Sequence, residues 1–345
     1  MAVAMFAQLF LARFLALAVA EVCDPSGNAT CAKCAGSIEV QGAGKFQMTN
    51  AYWNVPDEKA GDVEVIGNKV TPQMKGRTYW TDQCNGQYDH NKYANISFLG
   101  KQLQFTTDIS GAGCGCNAAL YLTSLRQSQQ LSGCEDFYCD ANSVCGLRCV
   151  EIDLMEANMY AWHTTMHVAD DGSGIGAGYG GGINWNGHRD WVREDYGPSG
   201  RCISTAFPFQ ARMAGHTMRR ALLLTHLQSS LLCRAAEVTI GFPLDQGRLR
   251  AMTVKLTQGR VCDLETEVPT SWYHFQGRDS SAEITEAMAA GMTPIISYWS
   301  APNMLWMDGV GADGLGPCAQ DLPELCGESV QFYDFKLESL PDLLV

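Results

Sequence analysis

Basic residues are scarce in this 345-residue chain: 24 Lys and Arg stand against 37 Asp and Glu, a formal net charge of −13. That surplus disfavours phosphate backbones and anionic membrane surfaces, so no nucleic acid and no membrane is expected as a partner. A neutral substrate fits better. Long apolar runs are missing after residue 20, which leaves no candidate membrane-spanning helix there. Residues 1–20 are apolar and end in Ala18-Val19-Ala20, a small-x-small cleavage pattern, while Arg13 interrupts the run and argues against a span. They are expected to be a secretory signal peptide, leaving 21–345 as one extracellular domain. Helical periods are few, and no Ser/Thr/Pro-rich linker or appended module is visible.

Cysteine is abundant. Fifteen cysteines point to an oxidising compartment and disulfides. The sequons Asn28-Ala29-Thr30 and Asn95-Ile96-Ser97 agree with a secreted glycoprotein. Cys31 and Cys34 have the spacing of half a zinc site, but no second pair follows, and a disulfide is the better expectation. No metal and no other cofactor is expected.

Short extended runs alternate with Gly-rich turns. Leu103, Phe105, Thr107 and Ile109 alternate within 96–109, and Asn117 to Thr123 follows a Gly-Cys-Gly-Cys turn. Residues 238–258 read as strand, turn at 244–247, and strand; 292–306 and 330–337 add two more. Many short strands with few helical periods give an all-β sandwich or barrel. Gly176, Gly178 and Gly181 form a nominal GxGxxG, but no buried strand leads in and no helix follows, so 172–182 reads as a mobile loop rather than a dinucleotide site. His163 and His167 lack a third ligand and read as structural. Residues 211–237 lack aromatics, carry helical rather than strand character and contain Cys233. They are expected to be an insertion, or a stretch absent from the native product.

The centre of the sequence is Cys149-Val150-Glu151-Ile152-Asp153-Leu154-Met155-Glu156-Ala157-Asn158. Val150, Ile152 and Leu154 alternate against Cys149, Glu151 and Asp153, a strand with one buried and one polar face. By that parity Glu156 would point into the core, where an unpaired carboxylate is costly. A β-bulge between Asp153 and Glu156 would return it to the polar face. A solvated acidic strand is the plainer alternative. The parity violation, with three crowded acids, favours a glycosidase centre.

These residues resemble glycoside hydrolase family seven, the secreted cellobiohydrolases and endoglucanases. The resemblance rests on Glu151-x-Asp153-x-x-Glu156-Ala157-Asn158 together with an ordered set of further motifs. Those are Phe98 to Phe105, Cys114-Gly-Cys-Asn117 to Tyr121, Tyr138-Cys139-Asp140, Trp185-Asn186-x-x-Arg189, Tyr196-Gly197-Pro198 and Asn303 to Asp308. It implies a β-jelly-roll sandwich of two large antiparallel sheets, concanavalin-like, with long loops forming a substrate cleft. It further implies Glu151 as nucleophile, Glu156 as general acid/base and Asp153 positioning the nucleophile. Asn117, Tyr121, Asp140, His167, Arg189, Trp299 and Trp306 would line the cleft, and Cys139 with Cys149 and Cys114 with Cys318 would pair.

The implied activity is retaining β-1,4-glucan hydrolysis by a monomer acting on cellulose. Tryptophan faces suit the C–H faces of β-linked glucose. Departures from the family pattern include a short N-terminal region, expected to leave Cys34 without a partner, and a shortened stretch from Trp299 to Trp306. A product-site arginine is missing before Cys318. Together they favour an open cleft and endo action. A non-catalytic β-glucan-binding lectin, or a β-1,3 or mixed-linkage glucanase, are the alternatives.

Overall fold

The computed structural model describes residues 32–171, 176–179, 191–206, 236–258, 262–309 and 316–340. The expected signal peptide at 1–20, Arg189 and nearly all of the 211–237 segment lie outside the described residues. Ala236 and Glu237 are described, and they open a strand instead of closing an insertion.

In chain order the main strands are β1 Lys33–Val40, β2 Gly44–Asn50, β3 Val63–Ile66, β4 Lys69–Pro72, β5 Gly76–Thr81, β6 Lys101–Asp108, β7 Cys116–Thr123, β8 Glu151–Ala157 and β9 Trp162–His167. They continue as β10 Ala177–Tyr179, β11 Ala236–Gly241, β12 Ala251–Thr257, β13 Leu264–Pro269, β14 Thr293–Ser300 and β15 Gln331–Ser339. One eight-stranded sheet runs β1-β2-β5-β14-β7-β8-β9-β10, and a seven-stranded sheet runs β13-β12-β11-β6-β15-β4-β3. The strand pairings within both sheets are antiparallel, giving the expected β-sandwich.

Period-two alternation decides what each face does. Leu120, Leu122, Ile152, Leu154, Ile296 and Tyr298 of the first sheet pack against Leu103, Phe105, Val238, Ile240, Val254 and Phe332 of the second. Their neighbours Asn117, Ala119, Tyr121, Ser297 and Trp299 take the opposite face. A second apolar cluster there includes Tyr79, Tyr93, Tyr121, Tyr138 and the half-cystines Cys139 and Cys149.

Several expectations need correcting. Cys34 is bonded to Cys84, with Cα atoms 5.8 Å apart, so the short N-terminal region does not orphan it. The strand expected over 292–306 ends at Ser300, and Leu305–Asp308 is a short helix. Part of the expected glycine loop is ordered: Ala177–Tyr179 pairs with β9 as an edge strand. Ser280–Ala290 forms an eleven-residue helix that the strand pattern did not anticipate. Its signals are local: Asp279 caps it by accepting from Ser281 N, and Gly291 ends it at a φ of 102°. The expected turn after Leu244 is a tight hairpin, with Gln246 and Gly247 both at positive φ.

Candidate active site

The bulge is present where parity demanded it. Glu151 pairs with His167 and Asp153 with Thr165, then the register slips so that Glu156 pairs with His163. On the other edge it slips between Asp153 and Met155, and Glu156 faces Ala119. Leu154 and Met155 therefore both enter the core, which a regular strand forbids, and Glu156 rejoins Glu151 and Asp153 on the opposite face. All three carboxylates line a cleft of ≈ 220 Å³, with Arg77, Tyr121, Tyr138, Asp140 and Trp299 among its other walls.

The turn after the bulge is locked by Asn158. Its Oδ1 accepts from Tyr160 N and Ala161 N, and its Nδ2 donates to Asp308 Oδ2 at 2.6 Å. Asp308 Oδ2 also accepts from Gly115 N, and Tyr196 Oη donates to Asn158 O. Motifs far apart in sequence thus meet behind one strand end.

Asn117 Nδ2 donates to Glu156 Oε1 at 2.8 Å, and Trp299 sits opposite Asn117 in the β7–β14 ladder. Tyr121 Oη lies 3.1 Å from Tyr138 Oη. Asp140 Oδ1 accepts from Val144 N, and Glu151 Oε2 accepts from Ala141 N at 3.0 Å, beside the Cys139–Cys149 disulfide. His167 Nε2 is 3.4 Å from Asp153 Oδ2, and its Nδ1 is 3.0 Å from Asp171 Oδ2. Trp306 stands edge-on to His163, the strand partner of Glu156, at 5.9 Å between ring centroids. Of the ten expected site residues only Arg189 cannot be placed.

Two residues escaped the sequence analysis: Arg77 in the cleft wall and Asp171 buried behind it. Arg77 is buried, stacks 3.8 Å from the Tyr138 ring and donates to the carbonyls of Trp53 and Asn54. It fixes the wall formed by Asn54 and Val55. Its signal was a lone arginine inside an otherwise buried Thr-Tyr-Trp strand. Asp171 lies four residues after His167 and bonds to its ring, a relation that no motif in the sequence marks.

Burial, and then the charge of Asp153, pushes Glu156 up to about 8. Glu151 is also raised, by burial and by Asp153 and Asp140, against His167 and the Ala141 N–H. Burial raises Asp140 too. Burial alone would lower His167, but hydrogen bonds to Asp153 and Asp171 carry it up to about 10. Hydrogen bonds from His167 and Tyr273 override burial and hold Asp171 at about 2.

The signs combine. A raised carboxyl favours the fold when protonated, and that contribution fades as pH climbs from the ordinary carboxyl range through about 8. The imidazolium contributes fully below about 6.5 and is lost as pH rises through about 10. Asp171 contributes above about 4 and is lost only as pH falls through about 2. The melting temperature is therefore expected to be higher at pH 5 than at pH 9 by calorimetry; the reverse order would refute this charge assignment.

No protein-family model matches the chain. It is similar to the probable endo-β-1,4-glucanase celB of Neosartorya fischeri, 25% identical over 265 residues, 67% of this chain and 59% of that protein. The chain thus spans about three-fifths of the length of the curated relatives it matches. Endoglucanase I complexed with cellobiose superposes with a TM-score of 0.57 at 15% identity, over 92% of this chain and 99% of that one. A GH7 cellobiohydrolase from Daphnia pulex superposes with a TM-score of 0.58 at 14% identity, over 92% and 98%. The fold is that of glycoside hydrolase family seven. In this sandwich the bulged strand β8 is the sixth of eight strands in its sheet, between β7, which carries Tyr121, and β9, whose His163 touches Trp306. The disulfides Cys114–Cys318 and Cys139–Cys149 form as the resemblance implied.

Proposed function

We propose that the chain is a secreted, monomeric endo-β-1,4-glucanase that cleaves cellulose or a related β-glucan with net retention. The observation that carries the proposal is the bulge, which sets Glu156 beside Glu151 and Asp153 on one cleft face. Support comes also from the similarity to a curated endoglucanase and from a fold neighbour complexed with cellobiose. Six disulfides among the described residues fit an oxidising compartment.

In the first step Glu156 gives its proton to the glycosidic oxygen as the bond to C1 breaks. The Glu151 carboxylate forms a bond to C1 from the opposite face. Water then attacks C1, Glu156 takes its proton, and the bond to Glu151 breaks. Burial and Asp153 keep Glu156 protonated at neutral pH. Asp153 and the Ala141 N–H orient Glu151. Trp299 and Trp306 offer flat faces to glucosyl rings, while Asn117, Tyr121, Asp140 and Arg189 take up hydroxyls. The segment from 211 up to the start of β11 at Ala236 is proposed to be an insertion; tryptic peptides from it at normal abundance in the secreted protein would show that it is retained.

The test is reducing-sugar release and viscosity loss on soluble carboxymethyl cellulose. Early viscosity loss is expected from internal cleavage. Release no faster than from Glu151→Gln would favour a binding protein, and release only from laminarin or barley glucan would change the linkage. The alkaline limb of kcat/KM is expected near pH 8, where Glu156 loses its proton. A limb near 5 would contradict the raised acid.

A further inference from the structure

Behind the carboxylates lies a buried arrangement that the proposed mechanism does not use. Asp171 is fully buried, and one of its oxygens, Oδ2, collects three donors: His167 Nδ1 at 3.0 Å, Tyr273 Oη at 2.8 Å and Gly176 N at 2.6 Å. Tyr273 Oη in turn accepts from Val168 N at 3.1 Å. Gly176 closes over the ring: a Cβ there would come within 2.6 Å of His167 Cε1 and 2.4 Å of Thr165 Cγ2. The imidazole is thereby fixed on one edge, and its other nitrogen is left facing Asp153.

We propose that Asp171 is a positioning residue that clamps the His167 ring with its Nε2–H directed at Asp153, and so tunes the carboxylate pair through a fixed cation. The proposal deepens the catalytic reading above and rests on it. The groups facing His167 are Asp153 and Glu151 from β8, with Glu156 beyond the bulge, and Asp171 and Tyr273 on the far side. Further out, Glu283 accepts from Ala169 N and pairs with Arg278, which also holds Asp170. These outer groups do not touch the ring.

A doubly buried imidazolium survives only while its second carboxylate is present. Asp171→Asn keeps an acceptor for Nδ1–H but removes the charge, so His167 gives up its proton more readily. Glu151 then loses a neighbour that favours its ionised form. The acidic limb of kcat/KM is expected to move up by about one pH unit, with kcat down about tenfold and KM changed less than about threefold. Glu283→Gln is expected to leave the profile in place.

Nitrogen-15 NMR of the His167 ring, assigned with His167→Asn, supplies the reading that needs no substrate. Both ring nitrogens should carry protons at pH 7 in the wild type, and lose that state at lower pH in Asp171→Asn than in the wild type. A neutral His167 ring at pH 7 in the wild type overturns the proposal, as does a folded Asp171→Asn with an unmoved profile. The wild-type spectrum decides even where Asp171→Asn does not fold. A wild type without glucanase activity would fail the proposed function, while the NMR comparison would still decide the clamp.

Discussion

Glu151→Gln is expected to lower kcat on soluble β-glucan by on the order of 10²-fold or more, and Glu156→Gln by a similar factor. The amide of the first variant cannot bond to C1, and that of the second cannot give up a proton to the leaving oxygen. Both variants should fold. Their side chains are buried among like charges, Asp153 beside each and Asp140 beside Glu151, and burial is the leading cause that raises both carboxyls. Replacing a crowded carboxyl by a neutral amide of the same shape relieves that repulsion. The melting temperature at pH 8 should accordingly match or exceed that of the wild type. A large loss of activity accompanied by a lower melting temperature would assign the two residues a structural role instead.

The second large effect concerns two nearly parallel cross-links. Cys114–Cys318 and Cys116–Cys326 span 204 and 210 residues. Either alone closes a long loop, worth about 5 kcal/mol in the chain-entropy view. Once one is closed, the other adds only a loop of about ten residues, worth about 3 kcal/mol. Removing one pair by Cys→Ser should therefore cost about 3 kcal/mol, and removing both about 8 kcal/mol. The second figure is comparable with the whole stability of an ordinary domain. The consequence reaches the cleft, because this hinge anchors Asn117 at the start of β7 and holds Gly115 N against Asp308. Urea unfolding of the single and double removals measures it. Equal and additive costs would show that the two bridges constrain separate parts of the unfolded chain.

The bulge is legible in the sequence because a charge cannot follow the apolar parity of β8 into the core, so Glu156 marks an irregularity in the strand. The alternating runs around Phe105, Tyr121 and Val238 were legible for the same reason: one face of each is apolar and the other is not. Disulfide partners were not. Cys34 finds Cys84 only because β1 and the segment after β5 lie two strands apart in one sheet, a relation that spacing along the chain does not encode. The helix at Ser280–Ala290 was readable from Asp279, Gly291 and the Ala- and Glu-rich run between them, but the strand-dominated surroundings masked it. Asp171 and Tyr273 could not be paired in advance, since 102 residues separate them and only folding brings them to one histidine.

The most direct test of the account is the configuration of the first sugar released. Proton NMR of a cello-oligosaccharide digest, recorded before mutarotation, should show the β-anomer appearing first, as double displacement by two carboxyls about 5–5.5 Å apart requires. The α-anomer appearing first would contradict it, because Glu151 and Glu156 would then stand far enough apart to admit a water between them.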